Sequence, residues 1–133
     1  MTPVPLRLVA RGPLPAPDVW ERYARPSAWP GWAPHLTAVA CDADRIAPGV
    51  TGTVVGPVGV SGSFVVDAVD ETAGTWTWTV RRGPLRVTLD HGVEPDGGGT
   101  RTWLDLRGPV WALPAMTGYL PLAKLALRRL VTP

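Results

Sequence analysis

Residues Gly74–Gly108 read GTWTWTVRRGPLRVTLDHGVEPDGGGTRTWLDLRG. Trp76, Trp78 and Val80 fall on alternate positions, with Thr75, Thr77 and Thr79 between them. After Arg82-Gly83-Pro84 the alternation resumes as Leu85, Val87, Leu89, His91 and Val93. A second turn, Glu94 to Gly99, leads into a third run from Thr100 to Arg107. A period of two sustained across glycine- and proline-bearing turns is the pattern of half-buried antiparallel strands. The face with the two tryptophans and His91 is expected to point inward. On the third run Thr102, Leu104 and Leu106 are the inward set, and Arg101, Trp103, Asp105 and Arg107 form a solvated stripe. A one-residue bulge would reverse that assignment and bring Arg101 inside.

Upstream, Val4, Leu6 and Leu8 alternate in a first strand ending near Arg11-Gly12-Pro13, whose prolines suit an edge or a strand start. Pro15-Ala16-Pro17-Asp18 opens a helix carrying Val19, Trp20 and Tyr23 on one face, and Pro26 ends it. In Ser27 to Pro34, Ser27 is placed to cap a short second helix. Trp29 and Trp32 in that stretch are costly to expose, so the segment plugs one end of a core. Strands are expected over His35–Asp42, Val50–Val55 and Val58–Val69, with bends or bulges at Gly52, Gly56, Gly59 and Gly62. From Pro109 on the period becomes helical. Leu122, Leu125, Ala126 and Leu130 are read as the inner face, and Lys124, Arg128 and Arg129 as the outer one. Pro114 and Pro121 predict a kinked or two-piece helix.

The totals fit one domain spanning residues 1–133, with 45% apolar and 18% charged residues. The net charge of +2 is a weak bias that gives no reason to expect nucleic acid. Twelve arginines against one lysine, Lys124, reflect compositional bias of a GC-rich, bacterial kind more than a binding signal. A single cysteine, Cys41, excludes an internal disulfide. Met1 to Pro5 lacks the basic start and apolar run of a signal peptide, and Gly108 to Ala123 is short for a bilayer span. The expectation is therefore a cytoplasmic protein without stable membrane insertion.

The element order is a strand, two short helices, about six strands and a closing helix, the β-α-α-β6-α layout of the helix-grip fold. The chain resembles the START-like, Bet v 1-like superfamily (SRPBCC), in particular its bacterial polyketide cyclase/dehydrase-like branch. Ala16-Pro17-Asp18-Val19-Trp20, Trp29-Pro30-Gly31-Trp32-Ala33-Pro34, Trp76-Thr77-Trp78, Asp90-His91-Gly92-Val93-Glu94 and Gly98-Gly99-Thr100-Arg101 carry the resemblance. It implies an α+β fold in which a curved antiparallel sheet of about seven strands grips the C-terminal helix around a cavity. It also implies a hydrophobic ligand of lipid, sterol or polyketide type, with cyclisation or dehydration in some members. The prolines of the last helix depart from that pattern, and no matched acid–base set carries over.

His91 is the one titratable side chain on the inward face. It either holds a ligand carbonyl, acts as a general acid or base near neutral pH, or bonds a neighbouring strand. Asp90 cannot orient it, because adjacent strand residues face opposite ways. Trp76 and Trp78 are either core or cavity wall. Trp20, Tyr23 and Tyr119 present polar tips to a pocket or simply pack, and His35 sits at a rim. A metal site would need His35, Cys41 and His91 to converge without paired spacing, and no motif calls for a cofactor. Gly97-Gly98-Gly99 is hairpin geometry, not a phosphate cradle. The leading reading is a binding module for a hydrophobic or aromatic small molecule, with Trp20, Tyr23, Trp76, Trp78, His91 and Tyr119 around the ligand. The alternative is a polyketide cyclase/dehydratase-type enzyme with His91 as the acid–base group. A third reading has the apolar Val110 to Leu122 segment meet a partner or a second subunit as a homodimer.

Overall fold

A computed structural model describes residues 4–133; the start of the chain, Met1 to Pro3, lies outside the described residues. Seven strands form one antiparallel sheet in the order β1-β7-β6-β5-β4-β3-β2. They are β1 (Val4–Gly12), β2 (Ala38–Cys41), β3 (Thr51–Val55), β4 (Ser61–Asp70), β5 (Thr75–Arg82), β6 (Leu85–Asp96) and β7 (Gly99–Gly108). The helices are α1 (Ala16–Ala24), α2 (Trp29–Trp32) and α3 (Leu113–Leu130). The sheet curves around α3, which is the helix-grip arrangement.

The period-two reading of Gly74–Gly108 holds in detail. Trp76 pairs with His91 and Trp78 with Leu89 across β5 and β6, and all four are buried. On β7, Thr102, Leu104 and Leu106 are buried, while Arg101, Trp103, Asp105 and Arg107 are only half-buried. The outer stripe is held by charge: Arg7 donates twice to Asp105 at 2.6 and 2.8 Å, and its guanidinium lies 4.9 Å from the centre of the Trp103 ring. β1 is an edge strand, paired with β7 alone, a position that tolerates Pro5.

Several expectations are corrected. The strand expected over His35–Asp42 is confined to Ala38–Cys41, and Pro57–Gly59 is a 3₁₀ turn ahead of β4. Ser27 caps nothing: it lies within a 3₁₀ turn, Pro26–Ala28, and α2 begins from Ala28 without a side-chain cap. The register of β4 against β5 shifts between Val66 and Ala68, so the extra residue is Asp67 and not one of the glycines. That bulge moves the inward set from Phe64 and Val66 to Val69, which then opposes Trp76.

The C-terminal helix is one continuous element, not two pieces. Pro114 occupies the first turn, where a missing N–H costs nothing, and Pro121 is exposed, as is Thr117, whose carbonyl it cannot serve. Its buried residues are Met116, Ala123, Ala126, Leu127 and Leu130, which leaves Leu122 and Leu125 facing outward, contrary to the phase read from the sequence. Lys124 is half-buried and donates to the Val9 carbonyl. Arg22 of α1 ties down the helix end, donating to the carbonyls of Arg129, Leu130 and Thr132 at 2.8–3.0 Å.

The end of α3 also presses on the β1–α1 junction. A Cβ on Gly12 would stand 2.3 Å from the Val131 carbonyl oxygen, and Val131 is fully buried. Gly12→Ala is therefore expected to lower stability by about 1–3 kcal/mol, read as a shift in the urea midpoint.

Candidate functional site

Between the concave face of the sheet and α3 lies a cavity of about 310 Å³. That is at the small end of the ~300–1,000 Å³ range of small-molecule sites. Its wall is apolar and aromatic. β5 supplies Trp76, Trp78 and Val80, and β6 supplies Leu85, Val87, Leu89 and His91. β7 adds Leu104 and Leu106, and α3 covers them with Met116, Tyr119, Ala123 and Leu127. Tyr23 of α1 and Trp29 and Trp32 of α2 close one end. The exposed members Pro57, Val60, Arg82, Ala115 and Leu122 mark where the cavity opens. Arg82 is the one charged side chain of the lining among the described residues, and it donates to the Ser61 carbonyl at 2.7 Å.

The closed end is a nest of rings. Trp29, 1% exposed, stacks on Trp76 at 5.7 Å between centroids and meets Trp78 edge-on at 5.0 Å. Its indole N–H donates to the Tyr23 carbonyl at 2.9 Å. His91 lies flat on Trp76, with centroids 4.2 Å apart and planes 10° apart. The Tyr23 hydroxyl is 3.0 Å from Thr102 Oγ1, which in turn donates to the Gly92 carbonyl at 2.8 Å. This chain of bonds leaves the Tyr23 hydroxyl engaged, and burial raises its pKa. Nearer the helix, Tyr119 and His35 meet through Oη and Nε2 at 3.2 Å.

Four buried ring nitrogens on this wall find no partner among the described residues: Nε1 of Trp76 and Trp78, and Nδ1 of His35 and His91. Leaving such a group unpaired costs about 1–3 kcal/mol each, so their clustering around one cavity is unusual for a packed core.

Burial drives the His91 pKa down to about 3, against a smaller opposing effect of the Trp76 backbone. The imidazole is thus neutral at neutral pH, which counts against the acid–base alternative and leaves the ligand-holding and strand-bonding ones. His35 is lowered for the same reason, and burial pushes Tyr119 up to about 12. Apart from Arg82 at the mouth, no ionised side chain lines the cavity at neutral pH among the described residues.

Of the residues singled out in the sequence, Tyr23, Trp76, Trp78, His91 and Tyr119 all come to this wall. Trp20 does not: it is only half-buried, and its indole N–H reaches Glu71 Oε1 at 3.4 Å. Sequence reasoning missed the role of Trp29 as the hub of the ring cluster and the pairing of His35 with Tyr119. The two members of that pair lie 84 positions apart, beyond any local pattern. Among the described residues no group of three His, Cys, Asp or Glu side chains is placed to hold a metal ion.

The family model described as polyketide cyclase / dehydrase and lipid transport matches residues 9–132. The chain belongs to that family. No curated protein matches this member of the polyketide cyclase/dehydrase family by sequence. Its fold is shared with ginseng major latex-like protein 151 from Panax ginseng, one crystal form of which aligns at a TM-score of 0.81 and 13% identity, over 97% of this chain and 95% of that one. A second form of the same protein aligns at 0.80. Ara h 8.0201 aligns at 0.70 and 14% identity, over 94% of this chain and 95% of that one. At such identities the likeness is one of fold: the Bet v 1-like sheet and helix around a cavity.

Proposed function

We propose that this protein binds an uncharged hydrophobic or aromatic small molecule, of lipid or polyketide type, in the cavity between sheet and α3. The observation that carries the reading is the 310 Å³ apolar cavity itself, with its unpartnered indole and imidazole nitrogens. A purely structural core would close such a space, because unfilled volume forfeits dispersion contacts. The family description, which names polyketide cyclisation or dehydration and lipid transport, supports the same ligand class. Trp76, Trp78, His91, Tyr23 and Tyr119 contact the ligand in this proposal. Trp20 is no longer among them.

No specific observation favours the enzyme reading. His91 is neutral and stacked on Trp76, and neither a carboxylate nor an amine stands beside it in the lining. Binding is tested by native mass spectrometry of the purified protein, for a co-purifying hydrophobic molecule, and by titration with a neutral dye such as Nile red. Val87→Phe puts a ring into the cavity from a half-buried lining position and is expected to weaken dye binding at least about ten-fold, equivalent to about 1.4 kcal/mol. Absence of any bound molecule, together with dye binding that Val87→Phe leaves unchanged, would sink the proposal.

A further inference from the structure

The outer face of the C-terminal helix is as apolar as an inner one. Trp111, Ala115, Gly118, Leu122 and Leu125 recur at helical spacing and are all exposed, Trp111 at 56% and Leu125 at 47%. Val110 is 49% exposed beside them. The segment Val110–Leu130 has a mean hydropathy of 1.2 in its most apolar window, yet only 28% of that window is buried. Its one cation before Arg128, Lys124, is turned away to the Val9 carbonyl. This stripe runs along the opening of the cavity, where exposed Val60 joins Leu122.

Charge is sorted around the same end of the sheet. Arg81, Arg82 and Arg86 sit on the β5–β6 hairpin, and none has a carboxylate partner among the described residues. The other arginines of the strands are all in ion pairs: Arg7 with Asp105, Arg11 with Asp96, Arg101 with Glu94 and Arg107 with Asp90. The hairpin and the start of the stripe share one end of the sheet: β7 leaves it at Gly108, just past the Arg107–Thr88 pair, and Arg86 lies two residues further toward that end. Arg82 has the inward parity of Val80 and stands at the cavity mouth, whereas the paired Arg81 and Arg86 leave from the convex face at the same end.

We infer that this end of the molecule, Val110 and Trp111 at the start of the stripe with the arginine hairpin, docks reversibly on an anionic lipid bilayer, with the cavity mouth against the membrane. An apolar stripe bearing an exposed tryptophan, flanked by unpaired cations, is the composition that lies in a headgroup layer. A second copy of the chain fits less well. A two-fold contact would bring this face against itself, and no acidic residue follows Asp105 to offset the facing arginines. The α3 face turned to the sheet keeps the helix in the fold, so the contact is peripheral and not a span.

The full chain is tested by flotation with vesicles of phosphatidylcholine alone and with a third of the lipid replaced by phosphatidylglycerol. It should float with the anionic vesicles and lose that binding as salt rises. Val110→Ser with Trp111→Ser should weaken partitioning about ten-fold or more. Arg81→Gln with Arg86→Gln should weaken it about twenty-five-fold, near five-fold per arginine. None of these four residues lines the cavity, so Nile red binding should be unchanged in both variants. Docking is read without a loaded cavity, so its failure and that of the ligand-binding proposal show in separate assays. The inference is overturned by absence of flotation, by equal binding to neutral and anionic vesicles, by binding that survives Trp111→Ser, or by a solution dimer that Trp111→Ser dissociates.

Discussion

Trp29→Ala is expected to destabilise the protein by about 4–5 kcal/mol, the largest effect of any single substitution argued for it. Removing a buried tryptophan costs about 3–5 kcal/mol in lost transfer energy and residual cavity. Three further losses push this case to the top of that range. Trp29 contacts the rings of Phe64, Trp76 and Trp78 at centroid separations of 5.0 to 5.7 Å, and aromatic pairs add about 0.5–1.5 kcal/mol beyond area. The Tyr23 carbonyl loses the indole N–H at 2.9 Å and is left in a buried setting. The hole also opens directly into the existing cavity, so neighbours have little to collapse onto. Against a domain stability of about 5–15 kcal/mol, the variant should be partly unfolded at physiological temperature. Urea denaturation at 25 °C measures it. A loss under about 2 kcal/mol would mean that the α2 segment is a detachable plug and not part of the cooperative core.

The sequence made β5 to β7 legible because their two faces differ sharply in chemistry: threonine, aspartate and arginine alternate with tryptophan, leucine and valine, and only one register buries the second set. The last helix was legible as a helix and not in its rotation. Leucines and alanines surround it, so no phase is chosen by hydrophobicity alone. The choice falls to packing, which sets Ala123 and Ala126 with Leu127 and Leu130 against the sheet and leaves Leu122 and Leu125 outside. Trp20 was misplaced because a partner distant in sequence, Glu71, engages its N–H. The bulge at Asp67 has no glycine to announce it; its carboxylate accepts the Thr79 hydroxyl at 2.7 Å, a contact that exists only once β4 and β5 have paired. His91 was found by parity alone, but its protonation state depends on how completely the rings of Tyr23 and Trp76 enclose it.

That enclosure sets up the second large effect. In the unfolded chain the His91 imidazole takes a proton near its ordinary pKa of 6.5, while in the folded protein burial holds it down to about 3. Below pH 6.5 the unfolded state therefore binds the extra proton and the folded state does not. Stability is fully present above about pH 6.5 and falls by about 1.4 kcal/mol per pH unit as pH drops toward 3. Between pH 7 and pH 4.5 the loss from this residue is about 2–3 kcal/mol. His35, also lowered by burial, adds a loss of the same sign. Asp105 and Glu71, lowered chiefly by hydrogen bonds from Arg7 and Arg45, add theirs as pH falls through the carboxylate range. All three persist in His91→Phe, which keeps a ring against Trp76 and removes only this proton. Urea denaturation across that pH range should show the wild type losing about 2–3 kcal/mol more than the variant. Parallel curves would mean that His91 is hydrated, and would remove the basis for an uncharged cavity. For the proposed binding role, the same depression bears on which ligand would fit. A neutral imidazole beside two unpartnered indole N–H groups offers hydrogen bonds without charge, which suits a carbonyl or hydroxyl on an aromatic body. Among the described residues a carboxylate finds its only lining cation at the mouth, in Arg82, so an acidic ligand would have to lie with its charged end outward.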